Sequence, residues 1–227
     1  MKYQHVFLDA DNTLLDFDAA QEGAFKGLLK VYGIEYSDRV FDRYAEINHS
    51  YWRRLEQGTV TKDILQTERF EVFFRELGIC VDGKEANDYY QKALSVQCQH
   101  MPYAEQVCIE LANRGKLTIV TNGVGSTAYS RMKNSGLDKY MSAIVVSEVI
   151  GHAKPSLEFF DAAFDMAGYK QGEKAIIVGD SLSSDIQGGI NAGIDTCWFN
   201  PKGAIAPKEM NITYTISDLR QLLDIID

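Results

Sequence analysis

The stretch FLDADNTLLDFD, residues 7–18, decides the fold and the chemistry that we expect of this chain. It continues an apolar run that begins at Val6 and predicts a buried strand, and it presents Asp9 and Asp11 directly beyond that strand. Residues i and i+2 of an extended segment point the same way, so two carboxylates are held close together. Like charges at that separation need a cation, a shared proton or separation by a turn. A bound Mg²⁺ is the simplest of these remedies.

Three further short signatures follow the first one along the chain. They are KLTIVTNG (residues 116–123), GHAKP (residues 151–155) and KAIIVGDSLSSD (residues 174–185). A lone Asp-x-Asp or TNG is usually a solvated turn, but four signatures in this order are hard to attribute to chance. Ligands of parallel sheets bind beyond the carboxyl ends of the strands, so we expect Asp9, Thr121 and Asp180 to converge there.

The composition indicates an acidic globular protein. Of its 227 residues, 45% are hydrophobic and 24% are charged, which is ordinary for a folded domain. The formal net charge of −9 disfavours nonspecific binding to nucleic acid polymers or to anionic membranes, and we expect neither partner. Scattered cysteines without a CxxC spacing and the lack of a secretory leader predict free thiols and a cytoplasmic location. The sequence leaves the oligomeric state open.

The order of the predicted elements indicates an α/β fold. Strand-like runs recur near residues 4–9, 116–121, 143–147, 174–179 and 194–199, with helical patterns between the later ones. Such alternation predicts a parallel sheet with helices on both faces. The closing stretch ISDLRQLLDIID, residues 216–227, predicts a final helix with Ser217 as its N-cap.

The long interval after the first strand predicts an inserted helical cap. Residues 17–92 have a helical pattern with breaks near Gly33, Gly58 and Gly78, and a simple crossover helix needs far less chain. We therefore expect an α/β core domain of residues 1–16 and 93–227 and a cap domain of residues 17–92. A cap of this kind could close over a substrate and exclude water.

The four signatures resemble the motifs of the haloacid dehalogenase-like (HAD) hydrolase superfamily, in the same order, over residues 9–185. GGINAGIDTCWFNP (residues 188–201) and DADNTLLDFD (residues 9–18) are most similar to nucleotidases of the YjjG/YfnB type within it. The resemblance implies a HAD-like Rossmannoid parallel sheet with an inserted α-helical cap. It also implies a Mg²⁺-dependent phosphomonoester hydrolase that works through an aspartyl-phosphate and acts on nucleoside 5′-monophosphates.

The resemblance places the catalytic roles on three residues. Asp9 is the expected nucleophile, which attacks phosphorus and divides one difficult displacement into two easier ones. Asp11 is the expected general acid and base, which protonates the departing alkoxide and then takes a proton from water. Lys154 supplies a compact positive charge for the transition state.

Binding roles follow for the remaining motif residues. Thr121, Asn122 and Lys154 are expected to hold the phosphoryl group through a hydroxyl, backbone N–H groups and an ammonium. The expected metal ligands are Asp9, the backbone carbonyl of Asp11, Asp180 and Asp185. Asp185 either completes the metal shell through water or orients Lys154, and the sequence leaves this choice open.

The sequence also leaves open which residues of the cap contact the substrate. A polar and aromatic cluster in the predicted cap could stack on a base or sugar, or its aromatic members could pack inside a helix bundle. Its members are Asn48, His49, Tyr51, Trp52 and Arg53.

Other functions remain as alternatives. A sugar-phosphate phosphatase or a phosphomutase would share the aspartyl-phosphate step. A haloacid dehalogenase attacks carbon and lacks the second aspartate, so Asp11 argues against it. A noncatalytic phosphometabolite-binding protein is a further alternative from a different class.

Overall fold

The computed structural model describes residues 2–226, which form two compact units. One unit contains residues 2–17 and 98–226, and the other contains residues 18–97. The first unit is therefore built from two separate stretches of chain, and the second unit is inserted between them.

The first unit contains a parallel sheet. Its strands are β1 (His5–Leu8), β2 (Lys116–Thr121), β3 (Ala143–Val146), β4 (Ala175–Gly179), β5 (Asp195–Phe199) and β6 (Tyr214–Ile216). Their order in space is β3-β2-β1-β4-β5-β6, and every neighbouring pair is parallel. β1 lies near the centre, and Leu8 pairs with Ile119 of β2 and Val178 of β4. The carboxyl ends of these three strands therefore lie at one edge of the sheet.

Helices account for most of the remaining chain. They are α1 (Phe17–Val31), α2 (Asp38–Glu56), α3 (Lys62–Glu76), α4 (Gly83–Leu94), α5 (Ala104–Ala112), α6 (Gly125–Ser135), α7 (Ser147–Ile150), α8 (Leu157–Ala167), α9 (Gln187–Ala192) and α10 (Gln221–Ile226), with a 3₁₀ turn at Asp138–Tyr140 and a π-helical turn at Leu182–Ile186. α4 continues to Leu94, so the domain boundary predicted between residues 92 and 93 falls inside this helix.

Alternate residues of the central strands face opposite sides of the sheet, and helices cover both sides. Val6 and Leu8 of β1 belong to a buried cluster that includes Val107 of α5. Phe7, between them, belongs to a second buried cluster that includes Phe159 of α8. Strands buried on both faces are continuous apolar runs in the sequence, which is why these strands were predictable. The predicted α/β sheet with helices on both faces is confirmed.

The carboxyl end of the chain differs from the expectation. β6 has three residues, too short to show an apolar period, and was not predicted. α10 begins at Gln221, and the Gln221 side chain accepts hydrogen bonds from the backbone amides of Ser217 (2.9 Å) and Asp218 (3.0 Å). The prediction of Ser217 as the helix N-cap is therefore wrong, because a glutamine side chain ties residues 217 and 218 outside the helix. Asp227 lies outside the described residues.

The inserted unit is helical, and local signals fix where its helices begin and end. The side chains of Ser37, Thr61 and Asp82 accept hydrogen bonds from backbone amides in the first turns of α2, α3 and α4. Gly33 and Gly58 follow α1 and α2 with φ of +65° and +68°, a conformation that glycine adopts without steric cost. These glycines account for two of the predicted breaks.

The interior of the inserted unit is aromatic and holds one buried arginine. The rings of Phe25 and Tyr44 stack with their centroids 4.3 Å apart. Arg69 is only 2% exposed and donates hydrogen bonds to Oδ1 of Asn48 (2.7 Å) and Oδ1 of Asn87 (2.9 Å). Amide oxygens thus take the place of hydration around a buried guanidinium.

None of the helices within residues 2–226 combines the length and the apolar character that crossing a membrane requires.

The hydrogen bonds of Arg69 predict a stability effect. We expect Arg69→Met to lower the free energy of unfolding by about 2–4 kcal/mol, because two buried amide oxygens lose the hydrogen bonds that Arg69 donates and each loss costs about 1–3 kcal/mol. Arg75→Met, at an exposed position of the same helix, is the matched control and should change it by less than about 0.5 kcal/mol. Guanidinium chloride unfolding measures both variants. Equal, small effects would contradict this role of Arg69.

Candidate active site

The candidate site lies at the sheet edge where β1, β2 and β4 end. Asp9 follows β1, and its backbone amide continues the ladder by donating to the carbonyl of Val178 at 2.9 Å. Thr121 is the last residue of β2, and Asp180 follows the last residue of β4. Three of the four predicted signatures therefore meet at one edge because the strands are parallel and in register.

Lys154 brings the third signature, GHAKP, into the same site. Its Nζ donates to Oδ1 of Asp9 at 2.6 Å, to Oδ1 of Asp185 at 2.6 Å and to the carbonyl of Val120 at 2.8 Å. An ammonium has three donors, so all three are used. The side chain is 2% exposed, and this full set of acceptors is what makes its burial tolerable.

Asn122 fixes the backbone that carries Lys154. Its side-chain Nδ2 donates to the Lys154 carbonyl at 3.0 Å, and its Oδ1 accepts from the Lys154 amide at 2.9 Å. The Thr121 hydroxyl, on the preceding residue, accepts from the amide of Gly123 at 3.0 Å. Phosphoryl binding by Thr121 and Asn122 stays a prediction, and for Asn122 it concerns the backbone, since the side chain already clamps Lys154.

Asp185 lies in the π-helical turn Leu182–Ile186 and is 1% exposed. Its Oδ1 accepts from Lys154, and its Oδ2 accepts from the amide of Ser181 at 3.1 Å. A Cβ on Gly179 would lie 2.2 Å from Oδ2 of Asp185, so a side chain at position 179 would displace the carboxylate. π-Helical turns are rare and are frequent at functional sites. The side chain of Asp185 thus contacts Lys154, one of the two arrangements considered for it.

Asp9, Asp180 and Asp185 form one carboxylate cluster. Each offers one oxygen, and the three oxygens lie within 4.8 Å of one another. If all three are ionised, the ammonium of Lys154 leaves two negative charges uncompensated. Hard carboxylate oxygens at this spacing suit a divalent cation such as Mg²⁺, which would supply the missing charge.

The pKa values of the cluster reflect burial first and the neighbouring charges second. Burial first, and then the neighbouring charge of Asp185, raises the pKa of Asp180 from 3.8 to about 7. Burial also raises the pKa of Asp9 well above 3.8, although the charge of Lys154 opposes it. Burial by itself would lower the pKa of Lys154, but the charges of Asp185 and Asp9 outweigh it and the pKa is raised.

Asp11 is not a member of the carboxylate cluster of Asp9, Asp180 and Asp185. Its side chain is 30% exposed, and its Oδ1 accepts a hydrogen bond from Nη1 of Arg131 on α6, a residue that the sequence did not single out. Thr13 was also missed, and its hydroxyl donates to Oδ2 of Asp9 at 3.3 Å. Arg131 lies outside the four signatures and carries no local signal. Thr13 lies within FLDADNTLLDFD (residues 7–18), so its place in that signature was a signal that the sequence reasoning did not use.

The polar and aromatic cap residues do not share one environment. Asn48 and Tyr51 are buried inside the inserted unit, where Asn48 bonds Arg69 and the Tyr51 hydroxyl donates to Glu68 at 3.0 Å. Trp52 is half-buried. The remaining members of this cluster, His49 and Arg53, are exposed.

A family model described as haloacid dehalogenase-like hydrolase matches residues 3–193. The pyrimidine 5′-nucleotidase YjjG of Escherichia coli (strain K12) is 33% identical over 225 residues, which cover 98% of this chain and 97% of that protein. The pyrimidine 5′-nucleotidase PynA of Streptococcus pneumoniae (strain ATCC BAA-255 / R6) is 35% identical over 229 residues, which cover 100% and 96%.

A solved structure shows the same likeness. The crystal structure of the HAD-hydrolase YfnB from Bacillus subtilis, bound to magnesium, matches with a TM-score of 0.95 at 35% identity and covers 100% of both chains. These relatives span the whole length of the chain, so the likeness includes both compact units.

The carboxylate cluster predicts an unusual effect of pH on stability. An acid whose pKa is higher in the folded than in the unfolded protein costs stability progressively as the pH rises between the two values, here from 3.8 to about 7 for Asp180. In EDTA at about pH 8, we therefore expect Asp180→Asn to raise the free energy of unfolding by on the order of 1–3 kcal/mol.

At about pH 4, Asp180→Asn should raise the free energy of unfolding by much less, because the Asp180 carboxyl then carries its proton in the folded wild-type protein. Urea unfolding at both pH values measures the difference. Asp161→Asn, at an exposed position of α8, controls for the loss of one surface charge. Destabilisation by Asp180→Asn at the higher pH would contradict this description of the cluster.

Proposed function

Since this chain belongs to the haloacid dehalogenase-like hydrolase family, we propose that it is a Mg²⁺-dependent phosphomonoesterase that acts on nucleoside 5′-monophosphates through an aspartyl-phosphate. The observation that carries the proposal is the buried ammonium of Lys154 between Asp9 and Asp185, with Asp180 beside them. The activity of the relatives YjjG and PynA supports pyrimidine nucleotides as the preferred substrates.

Asp9 is the proposed nucleophile. Lys154 and Thr13 each hold one of its carboxylate oxygens, so the group is fixed at the end of β1. A carboxylate oxygen attacks phosphorus, the ester P–O bond breaks, and the aspartyl-phosphate forms. Positioning and charge neutralisation supply most of the rate of such transfers, and the buried charge of Lys154 faces the anionic reactants.

Asp11 is the proposed general acid and base. In the first step its proton passes to the departing alkoxide, which leaves as the nucleoside. In the second step the Asp11 carboxylate takes a proton from the water that attacks the aspartyl-phosphate, so that inorganic phosphate leaves and Asp9 is regenerated. Proton transfer of this kind typically contributes about 10²- to 10⁴-fold.

The donor set fits a Mg²⁺ ion. Asp9, Asp180 and the backbone carbonyl of Asp11 would hold it, and Asp185 would support it through water or through Lys154. With all three carboxylates ionised, the two uncompensated negative charges of the cluster match the charge of the ion. When bound, Mg²⁺ reduces the repulsion between a carboxylate and the phosphoryl oxygens.

The loop after β2 is the proposed phosphoryl-binding segment. The Thr121 hydroxyl and the backbone amides that follow it lie at the same sheet edge as Asp9. The inserted helical unit, residues 18–97, is the proposed cap, and it would determine which nucleoside is accepted. Free cysteines at positions 80, 98, 108 and 197 support a reducing, cytoplasmic location as part of the proposal.

A phosphate-release screen tests the proposal. With Mg²⁺ we expect the wild-type protein to hydrolyse uridine and thymidine 5′-monophosphates faster than purine nucleotides, sugar phosphates or phosphoglycolate. Asp9→Asn should lower kcat by at least about 10³-fold, because removal of a catalytic nucleophile has effects of this size. Excess EDTA should also suppress turnover.

Asp161→Asn serves as the control and should retain wild-type kcat, since this residue is exposed on α8 and belongs to none of the four signatures. Equal phosphate release by the wild-type protein, the EDTA-treated protein and Asp9→Asn would refute the proposed mechanism. Rapid turnover of sugar phosphates without nucleotide hydrolysis would refute the proposed substrate class.

A further inference from the structure

We propose that Arg131 is a positioning residue for Asp11. Arg131 binds one carboxyl oxygen of Asp11, so that the other oxygen delivers the proton to the departing alkoxide. The inference rests on the proposed function and concerns a residue outside the four signatures. It starts from the ion pair in which Nη1 of Arg131 donates to Oδ1 of Asp11.

The backbone of Asp11 is fixed by the loop around it. The Ala10 carbonyl accepts hydrogen bonds from the amides of Leu14 (3.0 Å) and Leu15 (2.8 Å), and the Asn12 amide donates to the carbonyl of Leu15 at 2.7 Å. Because the main chain is tied on both sides of Asp11, only its side-chain torsions decide where its carboxyl group lies. A side chain that is 30% exposed is held less firmly by its packing than a fully buried one.

The hydrogen bond from Arg131 holds the side-chain torsions of Asp11. The side chain of Arg131 is 4% exposed, against 30% for that of Asp11, and it projects from the middle of α6. Its guanidinium carbon also lies 5.6 Å from the ring centroid of Phe17. A buried, planar guanidinium loses little further freedom on forming a hydrogen bond, so it is a suitable fixed point for a mobile carboxyl.

The two oxygens of Asp11 differ because arginine can donate hydrogen bonds but cannot accept them. A guanidinium has five N–H donors and no acceptor, so Oδ1 of Asp11 must act as an acceptor toward it. A proton carried by Asp11 in this arrangement therefore resides on Oδ2. Arg131 thus selects the oxygen that acts as the acid.

Oδ2 of Asp11 faces the loop after β2. It lies 3.8 Å from the position that a Cβ would occupy on Gly123, the residue whose amide donates to the Thr121 hydroxyl. This is the segment proposed to hold the phosphoryl group. With Oδ1 on Arg131, Oδ2 is the oxygen of Asp11 that faces this segment.

Leaving-group dependence tests this role directly. p-Nitrophenolate departs without needing a proton, whereas the alkoxide of uridine 5′-monophosphate needs one, so only the second substrate depends on a well-placed acid. We expect Arg131→Met to lower kcat for uridine 5′-monophosphate by at least about 10-fold and kcat for p-nitrophenyl phosphate by less than about 3-fold. Arg131→Lys, which keeps a donor and a charge, should recover part of the loss.

Two controls separate positioning from damage to the fold. Lys133→Met removes a charge from an exposed position of the same helix and should leave both kcat values unchanged. In an Asp11→Asn background, Arg131→Met should no longer alter the ratio of the two kcat values, because the group that it positions is gone. The kcat of each variant for p-nitrophenyl phosphate also shows whether the rest of the site is intact.

Equal loss with both substrates, or an unchanged ratio in Arg131→Met, would overturn the inference while leaving the proposed function intact. A higher kcat for uridine 5′-monophosphate in Arg131→Met would also overturn it, since Arg131 would then restrain Asp11 rather than position it. Absence of wild-type turnover of both substrates would instead refute the proposed function, and this inference with it.

Discussion

The ammonium of Lys154 is the charge on which the arrangement of the site depends. Its three donors reach Asp9 after β1, the Val120 carbonyl within β2 and Asp185 in the π-helical turn after β4. Four separate stretches of chain are thereby held at one point. Lys154 and its acceptors depend on one another. Burial of the ammonium without these acceptors would cost free energy, and the carboxylates without the lysine would repel one another.

The proposed nucleophile, Asp9, and the proposed general acid and base, Asp11, are held in contrasting ways, as their proposed tasks require. Asp9 is nearly buried, and both of its oxygens are engaged, which suits a nucleophile that must be aligned with phosphorus. Asp11 is half-exposed, with one oxygen on Arg131, which suits a group that must exchange protons with a leaving group and with water. The buried arginine of the inserted unit, Arg69, is solvated by amides, and its contacts indicate a structural role.

The sequence predicted the features that depend on local pattern. β1, β2 and β4 are apolar because both faces of the sheet are covered, and their polar ends reveal the site edge. β6 and the start of α10 were not predicted, since a three-residue strand has no period and a glutamine side chain replaced the expected serine cap. The contact between Arg131 and Asp11 joins residues 120 positions apart and depends on how α6 packs, so an arginine in a helical stretch gave no local sign of it.

Asp9 is the proposed attacking group of a site that a divalent cation completes. Crystals grown with Mn²⁺, which prefers the same oxygen ligands as Mg²⁺, and with beryllofluoride as a phosphoryl mimic test this proposal most directly. Anomalous diffraction should locate Mn²⁺ between the carboxylates of Asp9 and Asp180, with the mimic joined to an oxygen of Asp9 and facing Lys154. A cation bound away from these carboxylates, or a mimic joined to any other residue, would contradict this proposal.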